Sequence, residues 1–429
     1  MFRNWSGSVR SNPVLRHRPR DEAGVARLLR AAEAQDRFRV VGSAHSFTPL
    51  CATDQHLIDV GHLSGVTAVD TGSGRARVGA GTTIHALGPK LAAHGLALAN
   101  QGDIDRQTLA GAISTGTHGT GATLGALSTQ VRALRLITPA GEAWEADGDT
   151  DPERLAASVV SLGTLGVVTA LTVQCRPAYR LEDRRWGASL DAVLEDLDAH
   201  VAGHRHFEFF WFPQSDVAAC KSLDETEAMV SPPSLYERAS GMLIENGGMT
   251  LLSEWCRWQP SASQRATGVI LRMPAGRTVV EESWRVFPSA RWTRFNEMEY
   301  ALPRAAGPDC MREIRAWFRA HRPPVLFPVE YRTVAGDDLW LSPFHGRDSA
   351  TIAVHQYAPV PHGGYFAAME AIFRNHGGRP HWGKHHNLRG DDLATLYPQW
   401  EAFHDLRRTL DPQGRMLNDY LRALFGRWA

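Results

Sequence analysis

Three runs of small residues hold most of the side chains that can do chemistry in the first half of this chain. The first, Val41-Gly42-Ser43-Ala44-His45-Ser46-Phe47, follows a strand-like stretch. Small side chains there let backbone N–H groups turn outward and cradle an anion, and a diphosphate fits such a nest. A plain structural turn fits it equally, and a lone histidine in a turn is ordinarily a polar loop residue. The second run, Leu109-Ala110-Gly111-Ala112-Ile113-Ser114-Thr115-Gly116-Thr117-His118-Gly119-Thr120-Gly121, comes soon after Asn100-Gln101-Gly102-Asp103-Ile104-Asp105. So many small residues favour neither helix nor strand, and they let a large ligand lie close against the backbone. A flexible linker does not usually embed an isoleucine and a histidine. The third run, Ser161-Leu162-Gly163-Thr164-Leu165-Gly166-Val167-Val168-Thr169, repeats the pattern. Three such loops suit an extended dinucleotide better than a mononucleotide.

Two clusters stand out in the second half. In Glu330-Tyr331-Arg332 the strand period of two points acid and guanidinium to one face, which fits a structural ion pair or a binding site. In His381-Trp382-Gly383-Lys384-His385-His386 two histidines are four apart, a metal-like spacing. Gly383 weakens a helix there and no carboxylate partner is evident, so no metal is expected. Arg77-Val78-Gly79-Ala80-Gly81 begins like a nicotinamide-dinucleotide fingerprint, but Ile84 stands where the third glycine belongs and the acidic residue is missing. Walker, G-x-S-x-G and H-E-x-x-H motifs are absent from the sequence.

The elements that must position these residues alternate in the first half. A helix is expected over about 20–34, with strands at 38–42, 56–60, 67–70 and 75–81 and a helix over about 83–94. Strands follow within 131–141 and 165–177. Beyond Pro177 glycine thins and tryptophan and arginine increase, with a soft stretch at about 221–250 that suits a mobile loop or cap. The tail is helical around Asp411-Pro412-Gln413-Gly414. This divides the chain into 1–180, completed by a tail at about 400–429, and 181–399.

With 429 residues the chain needs more than one core, and 46 basic against 46 acidic side chains give no field favouring polyanions or membranes. Nucleic acid is not an expected partner. No stretch reaches the roughly 18 apolar residues of a membrane span. The first 20 residues lack a secretory apolar core, so a cytoplasmic location is expected. The cysteines, Cys51, Cys175, Cys220, Cys256 and Cys310, show no C-x-x-C pair and are expected to be thiols.

The order V-G-S-x-H-S-F, A-G-x-I-S-T-G-T-H-G-T-G and S-L-G-x-L-G-V-V-T resembles the FAD-binding half of the vanillyl-alcohol-oxidase superfamily, and within it the aldonolactone oxidase and alditol oxidase group. Glu297 to Arg304, Val329 to Thr333, His381 to Lys384 and Leu417-Asn418-Asp419-Tyr420 agree with it. The resemblance implies an α+β fold: an FAD-binding (PCMH-type) domain plus a substrate domain with a β-sheet flanked by helices. It implies FAD held by Gly42, Ser43, Ala44, His45, Ser46, Gly111, Ser114, Thr115, Gly116, His118, Gly119, Gly121, Gly163, Gly166, Val168 and Asn418, with His45 bonded to the flavin 8α-methyl carbon. Ala44 departs from the glycine common in relatives. The resemblance also implies Glu330, Arg332 and Lys384 as catalytic residues, joined at the substrate by His355.

The implied reaction is oxidation of a hydroxyl of an aldono-1,4-lactone, of L-gulono- or D-arabinono-lactone type, by hydride transfer to flavin N5. Molecular oxygen or another acceptor then takes the electrons. Ala112, where alditol oxidases carry a substrate-binding serine, favours the lactone. An alditol oxidase forming aldose and hydrogen peroxide is the alternative, and a non-catalytic flavin-binding protein the remote one. By analogy Gly111-Ala112 lies near the flavin, where residue size can gate oxygen, but no gate residue is assigned; oxidase is favoured over dehydrogenase and the choice stays open.

Overall fold

The computed structural model describes residues 1–231, 247–270, 277–289 and 291–429. After an N-terminal hairpin of Phe2–Arg3 and Arg10–Ser11, the first half builds a three-stranded parallel sheet of Leu15–His17, His56–Asp59 and Phe38–Val41. The helix Glu22–Ala31 connects two of its strands, and Asp21 caps it by accepting from the Gly24 N–H at 2.7 Å. Val25, Ala26 and Leu29 on this helix pack against Phe38, Ile58, Ile137, Val167 and, from the distant C-terminal segment, Met416. A five-stranded antiparallel sheet follows, with Val167–Gln174 at its centre. The turn bearing His45 therefore leaves the end of one sheet, and the run at 161–166 enters the middle of the other.

The second run departs from expectation, because Leu109–Ser114 is a helix. Leu109, Ala112 and Ile113 are fully buried in the main core, and that burial outweighs the low helix propensity of glycine and serine. Only the part after Ser114 is irregular.

From Arg180 to Pro380 the chain builds an eight-stranded sheet. One face of Phe295–Pro303, Val329–Val334 and Ser349–Tyr357 presents Met298, Tyr300, Tyr331, Ile352 and Val354 to the apolar core. That core includes Cys310, Met311, Ile314 and Phe318 of the helix Gly307–His321 and Phe366, Met369 and Phe373 of the helix Gly363–Asn375. The other face carries the charged residues. The soft stretch expected at about 221–250 begins within the strand Val217–Glu225, while its portion 232–246 lies outside the described residues. No helix among the described residues is long and apolar enough to cross a membrane.

Candidate active site

A narrow cleft runs between the three small-residue loops, lined by Gly42, Ser43, Ala44, His45, Ser46, Gly111, Ser114, Thr115, Gly163, Gly166 and Val168. Its backbone leaves little space for side chains: a Cβ on Gly42 would stand 2.0 Å from Thr108 Oγ1, and one on Gly166 2.3 Å from the Ile137 carbonyl. Thr108 Oγ1 is buried beside this cleft with no hydrogen-bond partner among the described residues. An orphaned hydroxyl in a glycine-lined slot is the feature expected where a polar cofactor presses against backbone, and FAD fits it. Ala44 holds φ at +55°, so the turn keeps the left-handed conformation without glycine. Burial, reinforced by the charge of Lys384, pushes the His45 imidazole down to about 4, so it is neutral at physiological pH.

Arg39, which sequence reasoning passed over, ties the loops together. This buried side chain donates to the carbonyls of Leu50 at 2.6 Å, Leu162 at 2.7 Å and Gly163 at 3.1 Å, and to that of Met416. Asn418 caps the helix Asp419–Phe425 and donates to the Pro49 and Ala52 carbonyls at 2.8 and 2.7 Å. Asn418, Gly116, Gly119 and Gly121 do not line the cleft. Gly119 instead abuts Asn100 and the Gln101 carbonyl, and the Gly121 N–H donates to the Thr333 carbonyl at 2.8 Å. Ala112 packs in the core, away from both cavities, so the serine-to-alanine argument for a lactone has no contact behind it.

A larger cavity of about 410 Å³ opens beside the cleft, and His45 and Ser46 line both. Its wall includes Asp103, His118, Arg291, Glu297, Glu299, Arg332, His381 and Lys384. The sheet explains how they meet. Glu297 pairs with His355, while Glu299 and Glu330 sit on either side of Ala353 in adjacent strands, so the small Ala353 leaves a basin between charged neighbours. Lys384 Nζ lies 2.5 Å from Glu297 Oε2 and 3.6 Å from Glu299 Oε2. The turn carrying it joins the two halves: the Phe47 N–H donates to Gly383 O at 2.7 Å, and the His385 N–H to Glu297 O at 2.9 Å.

Arg332 contacts three carboxylates: Glu330, Glu208 at 2.7 Å and Asp103 at 3.7 Å. Glu208 is held in turn by Lys221 at 2.9 Å, and Asp103 by Arg291 at 2.7 Å. His118, expected at the cofactor, faces the larger cavity and hydrogen-bonds Glu299 at 2.6 Å. Glu330 and His355, expected at the substrate, do not line the cavity wall. Each is joined to a residue that does, Glu330 to Arg332 and His355 to Glu297 at 3.4 Å. Glu330 stands two residues from Arg332 on one strand and His355 directly across from Glu297 on a neighbouring strand, so place along the sheet rather than depth separates each pair, all four being comparably buried. Glu297, Glu330 and His355 bring three ligand atoms within 4.8 Å of one another, but Lys384 already contacts Glu297 and Arg332 already contacts Glu330.

The charges divide sharply. Burial opposes ionisation throughout, yet Lys384 and His355 hold Glu297 down at about 2, and Lys221 and Arg332 hold Glu208 there too. Burial works against the Lys384 ammonium, but Glu297 and Glu299 outweigh it and keep its pKa above the ordinary lysine range. Glu330 is the exception: burial, with Asp103 and Glu208 adding to it against Arg332, raises it to about 7. Sequence reasoning missed Glu208, Asp103, Arg291 and His381 as site residues. The alternation in Glu297-Met298-Glu299, the same as in Glu330-Tyr331-Arg332, was the available signal for the two remaining acids.

Residues 171–424 match the D-arabinono-1,4-lactone oxidase family, and residues 13–147 match an FAD binding domain. The chain is 40% identical over 428 residues to an L-gulono-1,4-lactone dehydrogenase of Mycobacterium tuberculosis, covering 99% of each. It is 33% identical to an L-gulonolactone oxidase of Mus musculus, covering 99% of this chain and 98% of the other. It is 30% identical to an alditol oxidase of a Streptomyces species, covering 98% of each. The cholesterol oxidase of Brevibacterium sterolicum shares the fold, with a TM-score of 0.81 at 19% identity over 99% of this chain and 96% of that one. The whole-length likeness, the FAD-binding module and the cleft beside a charged cavity have one reading: the chain belongs to the D-arabinono-1,4-lactone oxidase family.

Proposed function

We propose that this protein is an FAD-dependent oxidoreductase that oxidises a hydroxyl of an aldono-1,4-lactone of L-gulono or D-arabinono type. The observation that carries this reading is the shared wall: His45 borders the cofactor cleft and the same cavity into which Arg332 and Lys384 project. A substrate there would meet cations on one side and the flavin on the other. Residues 1–180 with the tail at about 400–429 would serve the cofactor, and 181–399 the substrate. The His45 imidazole, kept neutral by burial, has the free electron pair needed for a bond to the flavin 8α-methyl carbon.

Bound FAD supplies the hydride acceptor at flavin N5. The rest falls to side chains. As hydride leaves carbon, the hydroxyl proton passes to solvent in the cavity, and Arg332 and Lys384 offset the charge developing on oxygen. Because Glu297, Glu299 and Glu208 already anchor these cations, they need little reorganisation when the charge appears. Glu330 and His355 act one residue back, Glu330 by aiming Arg332 and His355 by bracing Glu297. Molecular oxygen or another acceptor would then take the electrons.

The alditol reading is kept alive by the 30% identical alditol oxidase. Anaerobic mixing with a panel of lactones and alditols tests both, with bleaching of the flavin expected for L-gulono- or D-arabinono-1,4-lactone. Bleaching by alditols alone would transfer the assignment to them, and no bleaching by any compound would end it. Admitting air afterwards reports whether oxygen is an acceptor.

Glu330 also gives a stability prediction. Its folded pKa, about 7, lies above the usual carboxylate value, so the folded state holds the extra proton. That contribution is fully present below the usual carboxylate range and is lost as pH rises through 7. Between pH 6 and 8 the loss is about 1.4 kcal/mol for one such group. Glu330→Gln should therefore flatten the fall in unfolding free energy over that range in chemical denaturation. Parallel curves for variant and parent would show that Glu330 does not titrate there.

A further inference from the structure

The N-terminal residues Phe2–Ser11 form a hairpin whose strands are Phe2–Arg3 and Arg10–Ser11. None of it belongs to the cofactor loops in sequence, yet it holds both sides of His45. The Trp5 N–H donates to the Ala44 carbonyl at 2.9 Å, and Asn4 Nδ2 donates to the Ser46 carbonyl at 3.0 Å. Asn4 is itself buried, and its Oδ1 accepts from the N–H groups of Gly7 and Val9, each at 3.0 Å, so its amide cannot turn away without breaking the hairpin. The Trp5 ring stacks on the His45 ring, with centroids 6.1 Å apart and planes 24° from parallel. It also meets Phe295 of the large sheet edge-on at 5.2 Å, and it lines the larger cavity. Phe2 and Val9 root the hairpin against Val41 and Leu57, directly before the His45 turn.

We propose that this hairpin is a positioning device for flavin attachment, in which Asn4 fixes the backbone on one side of His45 and Trp5 fixes the other side and the imidazole plane. The inference rests on the reading of His45 as the attachment point. Forming the N–C bond takes one proton from the methyl carbon and one from the imidazole. It leaves two electrons on the ring system, which an acceptor such as oxygen must remove. The reaction needs a neutral imidazole whose lone pair is aimed at one carbon. Among the described residues the one ring contact of His45 is with Trp5, and stacking on an aromatic plane limits its rotation.

The test uses the whole chain, produced under flavin limitation so that attachment can be followed, and reads covalent flavin rather than turnover. Parent, Trp5→Ala, Trp5→Leu, Trp5→Phe and Asn4→Ala are incubated with excess FAD in air, and flavin fluorescence on denaturing gels is followed against total flavin in the native protein. Trp5→Ala and Trp5→Leu should attach flavin about fivefold more slowly, the size of one aromatic pair contact, with bound FAD retained. Trp5→Phe should restore most of the rate, and Asn4→Ala should slow it as well. Ile314→Ala, on the helix Gly307–His321 that packs on the sheet face away from the charged residues and lines neither cavity, serves as a destabilised control. An equal slowing in that control, or parent rates in all the Trp5 variants, overturns the proposal. Loss of gel fluorescence from the parent itself, or its persistence in His45→Ala, overturns the attachment reading instead.

Discussion

Replacing Lys384 with methionine should slow reduction of the flavin by substrate about 10²–10³-fold, the usual cost of removing one preorganised charge from a site of developing oxyanion. Methionine keeps an unbranched four-atom stem and loses the ammonium. The turn that presents it is held by backbone bonds that do not use Nζ: Lys384 N–H to His381 O at 2.9 Å, His385 N–H to Glu297 O, and Phe47 N–H to Gly383 O. The cavity should therefore keep its shape. Stability is a separate matter, because Glu297 and Glu299 lose their shared cation in a buried place. Removing one partner of a buried pair costs about 3–5 kcal/mol, and uptake of a proton by Glu297 or Glu299 offsets part of it. Anaerobic stopped-flow bleaching at saturating lactone, paired with a melting curve, separates the two effects. Reduction within about threefold of the parent would remove Lys384 from the chemistry. Arg332→Met should behave alike, with its structural penalty falling on Glu330, since Lys221 still holds Glu208 and Arg291 still holds Asp103.

His45→Ala should convert the flavin from fully retained to fully released on denaturation. The parent is expected to keep its fluorescent band on a denaturing gel, and the variant to lose it. The cleft itself should survive, since Gly42, Gly111, Gly163 and Gly166 shape it and Arg39 holds its loops. The variant should therefore still bind FAD reversibly, and its melting temperature should rise with added FAD as mass action requires, while the parent's should not. Loss of the covalent bond should also lower the flavin's reduction potential and slow its reduction. Free FAD in the denatured parent would refute the linkage outright.

Much of this was legible in the chain itself. Turns written in glycine, serine and threonine fix where backbone can approach a ligand, because that property is local. The strand period of two put Glu330 and Arg332 on one face before any neighbour was known, and the structure has them there in contact. The helix at 22–31 and the strands at 38–41, 56–59 and 75–79 fall within a few residues of their expected bounds, since hydrophobic periodicity is also local.

What only the tertiary structure decided is the company each charge keeps. Arg332 is defined by Glu208 and Asp103, and Arg39 by carbonyls at 50, 162, 163 and 416, partners separated by as much as 377 residues. Nothing in a sequence pattern specifies such pairs, because a buried charge is stabilised by whatever the fold brings within a few ångströms. The same holds for the cavity wall. Alternation tells which face Glu330 and His355 occupy, but only the fold decides that the cavity opens over Arg332 and Glu297 and not over their neighbours. Tertiary burial likewise turned Leu109–Ser114, a poor helix by composition, into a helix anchored by Leu109 and Ile113.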